Sequence, residues 1–88
     1  MELELLGYIK DGKYRLKTLK LLNNSPSLPS ELADKLNVSR SSMSRILRNL
    51  KGKMLITSSK SSSRTLIYSI TDKGKKLLSE IDEKEINS

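Results

Sequence analysis

The 88 residues are 35% apolar and include neither Phe nor Trp, so one domain is expected, with a small core built from Leu, Ile, Val and Met. The absence of Cys and His excludes zinc coordination, thiol switches and disulfides, and removes the commonest acid–base and nucleophilic catalysts, which argues against an enzyme. A net charge of +7 makes a polyanion the expected partner, either a nucleic acid or an anionic membrane surface.

No apolar run approaches the ~20 residues that span a bilayer. Met1 to Lys10 carries Glu2 and Glu4 and lacks the basic start and small-residue cleavage site of a secretory signal. The expected location is cytoplasmic and nucleoid-associated, with no membrane partner. The charge is also unevenly placed. From Lys35 to Thr71 the chain carries Lys35, Arg40, Arg45, Arg48, Lys51, Lys53, Lys60 and Arg64, and no Asp or Glu. Acidic residues gather in the N-terminal third and in the tail, at Glu80, Asp82, Glu83 and Glu85. Eight uncompensated cations in 37 residues exceed what solubility alone requires.

In chain order, Glu2 to Lys10 reads as a short helix or a strand, with Leu3, Leu6, Tyr8 and Ile9 on one side. Asp11-Gly12 breaks it. Lys13 to Asn23 is an amphipathic helix with Leu16, Leu19 and Leu22 inward and Leu21 widening the stripe. Asn23-Asn24-Ser25-Pro26 ends that helix, because Pro cannot continue it and biases Ser25 to extended geometry. Ser27-Leu28-Pro29 is extended. Ser30, followed by Glu31, is the expected N-cap of a short helix that turns Leu32, Ala33 and Leu36 inward.

Asn37 suits the left-handed position at the end of that helix, and Val38 is expected as a buried plug. Ser39 caps the next helix, about Arg40 to Lys51, whose stripe is Met43, Ile46, Leu47 and Leu50. Gly52 is expected to close it. Met54 to Thr57 reads as a strand and Ser58 to Ser63 as a serine-rich loop around Lys60. Thr65 to Thr71 reads as a second strand, with Leu66, Tyr68 and Ile70 facing one way. Thr71 then caps a last helix, Asp72 to about Ile86, with Leu77, Leu78, Ile81 and Ile86 as its stripe. That stripe fits intramolecular docking and a partner helix equally well.

The expected class is therefore mainly α with a small β-hairpin, an α+β arrangement. Two helices joined only by Asn37-Val38-Ser39 must cross steeply, which is the helix-turn-helix unit. The second helix buries its stripe and leaves outward a face carrying Ser41, Ser44, Arg45 and Arg48, with nothing apolar or acidic on it. A DNA major groove, about 12 Å wide, admits such a helix. Ser41, Ser42 and Ser44 let the backbone approach, and Arg45 and Arg48 can reach base edges or phosphates. Ser41, Ser42 and Arg45 are the expected base contacts, and Arg40, Arg48 and Lys51 the expected phosphate contacts. The N–H groups at Ser39, Arg40 and Ser41 can also grip a phosphate. Lys60 and Arg64 on the hairpin can lie along the backbone or reach a minor groove.

From Tyr14 to Leu78 the sequence resembles the winged helix-turn-helix repressors of prokaryotes, of the ArsR, MarR and PadR type. Arg15 to Leu22 is similar to their helix before the motif. Ser30 to Leu47 is similar to their helix-turn-helix, and Tyr68 to Gly74 to the end of their wing. The resemblance implies a transcriptional regulator that binds a pseudo-palindromic operator as a homodimer. The terminal helices would pair, so segment 1–12 and the helix over 72–86 are the expected dimerisation elements. It also carries a DNA-contact role to Ser41, Ser42, Arg45 and to Lys60 and Arg64 on the wing, 58–64. The chain departs from the metal-sensing members in lacking Cys and His, so no metal or other cofactor is expected. Small proteins of this type are frequent in archaea, their viruses and plasmids. Two other readings use the same features: non-specific, architectural or plasmid-partition DNA binding, and a winged-helix protein-interaction module.

Overall fold

The apolar spacing of the N-terminal third is helical on both sides of Gly12. In the computed structural model, which describes residues 3–86 and the side chains of residues 3–81, α1 spans Leu3–Asp11 and α2 spans Lys13–Asn24. The first segment is thus a helix and not a strand. Its buried face is Leu5, Leu6 and Ile9, whereas Leu3, expected inward, is 78% exposed. A spacing of three to four residues selects Leu5 with Ile9 and leaves Leu3 outside the stripe. Met1, Glu2, Asn87 and Ser88 fall outside the described residues. So do the side chains of 82–86, and with them the expected place of Ile86 in the last stripe and of the acidic Asp82, Glu83 and Glu85.

α3 spans Pro29–Leu36. Its N-cap is Leu28 and not Ser30. Proline at the first helical position has its φ preset and loses no helical hydrogen bond, so it starts the helix two residues early. The Leu28 N–H then donates to Glu31 Oε1 at 2.9 Å, which gives the acidic residue its role. Ser27, just upstream, is extended and pairs with Tyr68: its N–H donates to the Tyr68 carbonyl at 3.0 Å, and the Tyr68 N–H returns to Ser27 at 2.9 Å.

α4 spans Arg40–Gly52. Gly52, the expected terminator, is its last residue, but the chain goes on folding back for three more. Lys53 N–H reaches Asn49 O, Met54 N–H reaches Lys51 O at 2.9 Å, and Leu55 N–H reaches Leu50 O at 3.1 Å. These bonds satisfy the last carbonyls of the helix. The left-handed residue of this turn is Met54, at φ 63, so β1 begins only at Ile56.

β1, Ile56–Lys60, pairs antiparallel with β2, Leu66–Ile70, in the register Ile56↔Ile70 through Lys60↔Leu66. Ser58, Ser59 and Lys60, expected in the loop, are therefore strand residues. The ladder needs only backbone groups, and an apolar β2 supplies a partner for a polar β1. The hairpin tip is shorter than expected. Arg64 N–H donates to Ser61 O at 3.0 Å, and Ser61 N–H to Thr65 O at 2.9 Å, a three-residue loop closed by a left-handed residue.

α5 spans Asp72–Ile86. Thr71 caps it as expected: Gly74 N–H donates to Thr71 Oγ1 at 3.1 Å. The same hydroxyl donates to the Met54 carbonyl at 2.8 Å, and Thr71 N–H to the Leu55 carbonyl at 3.1 Å, so the start of α5 is tied to the turn after α4. One apolar cluster joins every helix. It contains Leu5, Leu6 and Ile9 of α1, Leu19 and Leu22 of α2, Leu32 and Ala33 of α3, Met43, Leu47 and Leu50 of α4, Leu55 and Ile56, and Leu77, Leu78 and Ile81 of α5. Val38, Ile46, Tyr68 and Ile70 are half-buried at its edge, so Val38 is a partial rather than a complete plug. The architecture is a winged helix.

Candidate nucleic-acid interface

The α3–α4 junction sets the interface. Asn37 takes the left-handed conformation, φ 56 and ψ 47. Its N–H donates to Asp34 O at 3.3 Å and that of Val38 to Ala33 O at 3.0 Å, which ends α3 in a Schellman motif. Asn tolerates this geometry better than a branched or bulky residue would. The chain then needs only Ser39 to open α4: Ser42 N–H donates to Ser39 Oγ at 3.1 Å.

Burying Met43, Leu47 and Leu50 against the core turns the other side of α4 to solvent. Arg40, Ser41, Ser44, Arg45 and Arg48 are all exposed there. The first turn of α4 holds no acidic residue, so the positive end of its dipole is left uncompensated. In α3 the same end is occupied by Glu31. An anion approaching the start of α4 thus meets the N–H groups of Arg40 and Ser41 and the cations of Arg40 and Arg45 together.

Not every expected contact residue is equally free. Ser39, Ser41 and Ser42 form one hydroxyl cluster, with Ser39 Oγ donating to Ser42 Oγ at 3.0 Å and lying 3.5 Å from Ser41 Oγ. Ser42 is half-buried, while Ser41 faces out. Lys51 is exposed, but its Nζ donates to Ser58 Oγ at 2.7 Å, linking the end of α4 to β1. Lys60 stands at the exposed end of β1. Arg64 is at the hairpin tip with φ 65. Sequence reasoning did not foresee the contact between Lys51 and Ser58. The seven-residue separation of Lys51 and Ser58 carries no local signal, because only the hairpin brings them together. Among the described residues no His, Cys, Asp or Glu cluster could hold a metal ion, and no helix is long and apolar enough to cross a membrane.

Comparison with known proteins agrees with this arrangement. A family profile described as HVO_A0261 N-terminal domain matches residues 6–87. No curated protein sequence matches the chain. Among solved structures, the transcriptional regulator BldR from Sulfolobus solfataricus is similar, with 27% identity, a TM-score of 0.81, and coverage of 93% of this chain and 61% of that one. The transcriptional regulator Tm0710 from Thermotoga maritima gives a TM-score of 0.85 at 21% identity, over 96% of this chain and 61% of that one. The adhesin competence repressor AdcR from Streptococcus pyogenes gives 0.77 at 19% identity, over 86% and 58%. The chain thus spans less than two thirds of the length of each of these three proteins.

Proposed function

The chain belongs to the HVO_A0261 N-terminal domain family, and from that footing we propose that it is a sequence-specific double-stranded-DNA-binding transcriptional regulator, a repressor that acts as a homodimer. The observation that carries the reading is the outer face of α4: Arg40, Ser41, Ser44, Arg45 and Arg48, all exposed, on a helix whose first turn holds no carboxylate. Similarity to solved regulators such as BldR supports it.

In this reading α4 enters the major groove. Ser41, Ser42 and Arg45 contact bases; Arg40, Arg48 and Lys51 contact phosphates; and the Ser39 turn donates N–H groups to a phosphate. Lys60 and Arg64 carry the wing to the backbone or minor groove. α1 and α5 pair with a second copy, and the exposed Leu3 at the outer end of α1 is available to that contact. Two copies then read half-sites about 34 Å apart.

Fluorescence anisotropy on DNA from upstream of the gene, against scrambled duplexes and across a salt series, tests the reading. The expected result is tighter binding to one sequence with two-fold symmetry. Equal affinity for all duplexes at every salt concentration would show architectural binding instead. Sedimentation at micromolar concentration tests the dimer.

A further inference from the structure

A cleft of about 440 Å³ opens between α1 and the end of α4, lined by Tyr8, Arg48, Asn49, Gly52 and Lys53. A second of about 240 Å³ shares Tyr8, Gly52 and Lys53 and adds Glu4 and Lys73. Tyr8 is the unusual member. Its ring carries the Arg15 guanidinium 3.9 Å from the centroid and the Lys53 ammonium at 5.2 Å. Arg15 Nη1 is held there by the Tyr8 carbonyl at 2.7 Å. The Tyr8 hydroxyl is buried and has no hydrogen-bond partner among the described residues. A buried hydroxyl without a partner is costly, and native folds rarely leave one so without reason.

Ordinary helix electrostatics explain part of this group. Cations at a helix C-terminus answer the dipole, but that end carries only about half a charge. Arg48 and Lys53 bring two, and the dipole gives the Tyr8 hydroxyl nothing to do. The five residues of the larger cleft include no carboxylate. The cleft also lies at the far end of α4 from the Ser39 turn, roughly 18 Å along a 13-residue helix at ~1.5 Å per residue.

We propose that this cleft binds a small oxyanion-bearing ligand, a phosphate or a carboxylate. Arg48 and Lys53 supply the counter-charge, the Asn49 amide a neutral contact, and the Tyr8 hydroxyl donates to the anion once the Lys53 side chain shifts off the ring. Occupation would draw Arg48 away from the outer face of α4. That regulatory consequence rests on the DNA-binding reading, whereas the binding itself does not.

The test is a ¹⁵N NMR titration of the full chain with inorganic phosphate and, separately, with citrate, at constant ionic strength. Saturable shifts at Tyr8, Gly52 and Lys53 with either anion are expected, and the better anion identifies the ligand class. Tyr8→Phe should weaken that binding by at least about tenfold, the loss expected for a hydrogen bond to a charged group, while raising the melting temperature because the unpaired hydroxyl is gone. Lys53→Gln should also weaken it. Linear shifts with both anions, or unchanged affinity in Tyr8→Phe, would overturn the proposal. A parallel titration with duplex DNA separates the two readings. Shifts at Ser41 and Arg45 report DNA binding independently. If Tyr8 and Lys53 respond to DNA and to neither anion, the cleft is part of the DNA interface and the small-ligand proposal fails.

Discussion

Gly74→Ala is the most informative single change in the fold. Gly74 lies in the first turn of α5, against the turn that follows α4. A Cβ there would press into the Leu55 carbonyl oxygen, well inside van der Waals contact, and would lie 2.7 Å from Ile70 Cγ1. The carbonyl cannot simply move, because it accepts the Thr71 N–H at 3.1 Å. Overpacking of this kind costs about 1–3 kcal/mol. Weakening the Thr71 bond adds about 0.5–1.5 kcal/mol. Against these, Ala in place of Gly gains about 1 kcal/mol of helix propensity. The net loss is about 0.5–3.5 kcal/mol, and at ~4–8 °C per kcal/mol for a domain of this size the melting temperature should fall by roughly 2–28 °C. Thermal unfolding followed by circular dichroism measures it, and NMR shifts should concentrate at Leu55 and Ile70. If the variant melted at or above the parent temperature, helix propensity would have outweighed the contact, and the close approach of α5 to Leu55 would be wrong.

Two of the left-handed residues, Asn37 and Arg64, and the arginines of α4 give further tests. Asn37→Ala should cost about 1 kcal/mol in denaturant unfolding, because Ala is strained in the left-handed position, whereas Asn37→Gly should be near neutral. Arg64→Gly should stabilise the hairpin by up to about 1 kcal/mol, since Arg64 holds φ 65. The same variant should bind DNA less tightly, and the slope of its salt dependence should fall by ~0.9 for each phosphate that Arg64 neutralises in the parent. Replacing Arg45 by Ala should relax sequence preference and cost about 1–3 kcal/mol of binding to the preferred duplex, while Arg40→Ala should weaken all duplexes alike. Anisotropy titrations on matched and scrambled duplexes measure all three binding effects.

Local signals carried most of the helical framework. The stripe Met43, Ile46, Leu47 and Leu50, the capping hydroxyls of Ser39 and Thr71 and the left-handed Asn37 each act within one turn of chain, so residue type and spacing reveal them. The outward face of α4 was legible for the same reason: once one stripe is buried, helical geometry assigns the other. The boundaries that moved were those decided by other groups. Pro29 overrode Ser30 because its fixed φ starts a helix regardless of the hydroxyl beside it. The serines at 58 and 59 joined β1 because β2 offered a backbone ladder, which their own polarity does not advertise.

The fold class, the basic central segment and the exposed arginines of α4 were thus determined by the sequence alone, since periodicity and charge are properties of the chain itself. The tertiary structure decided three things that depend on how separate elements pack together. It pinned Lys51 to Ser58, it seated Gly74 under the Leu55 carbonyl, and it buried the Tyr8 hydroxyl while setting Arg15 and Lys53 over the Tyr8 ring. None of these could be read from spacing, because each contact exists only once two separate elements have packed against one another.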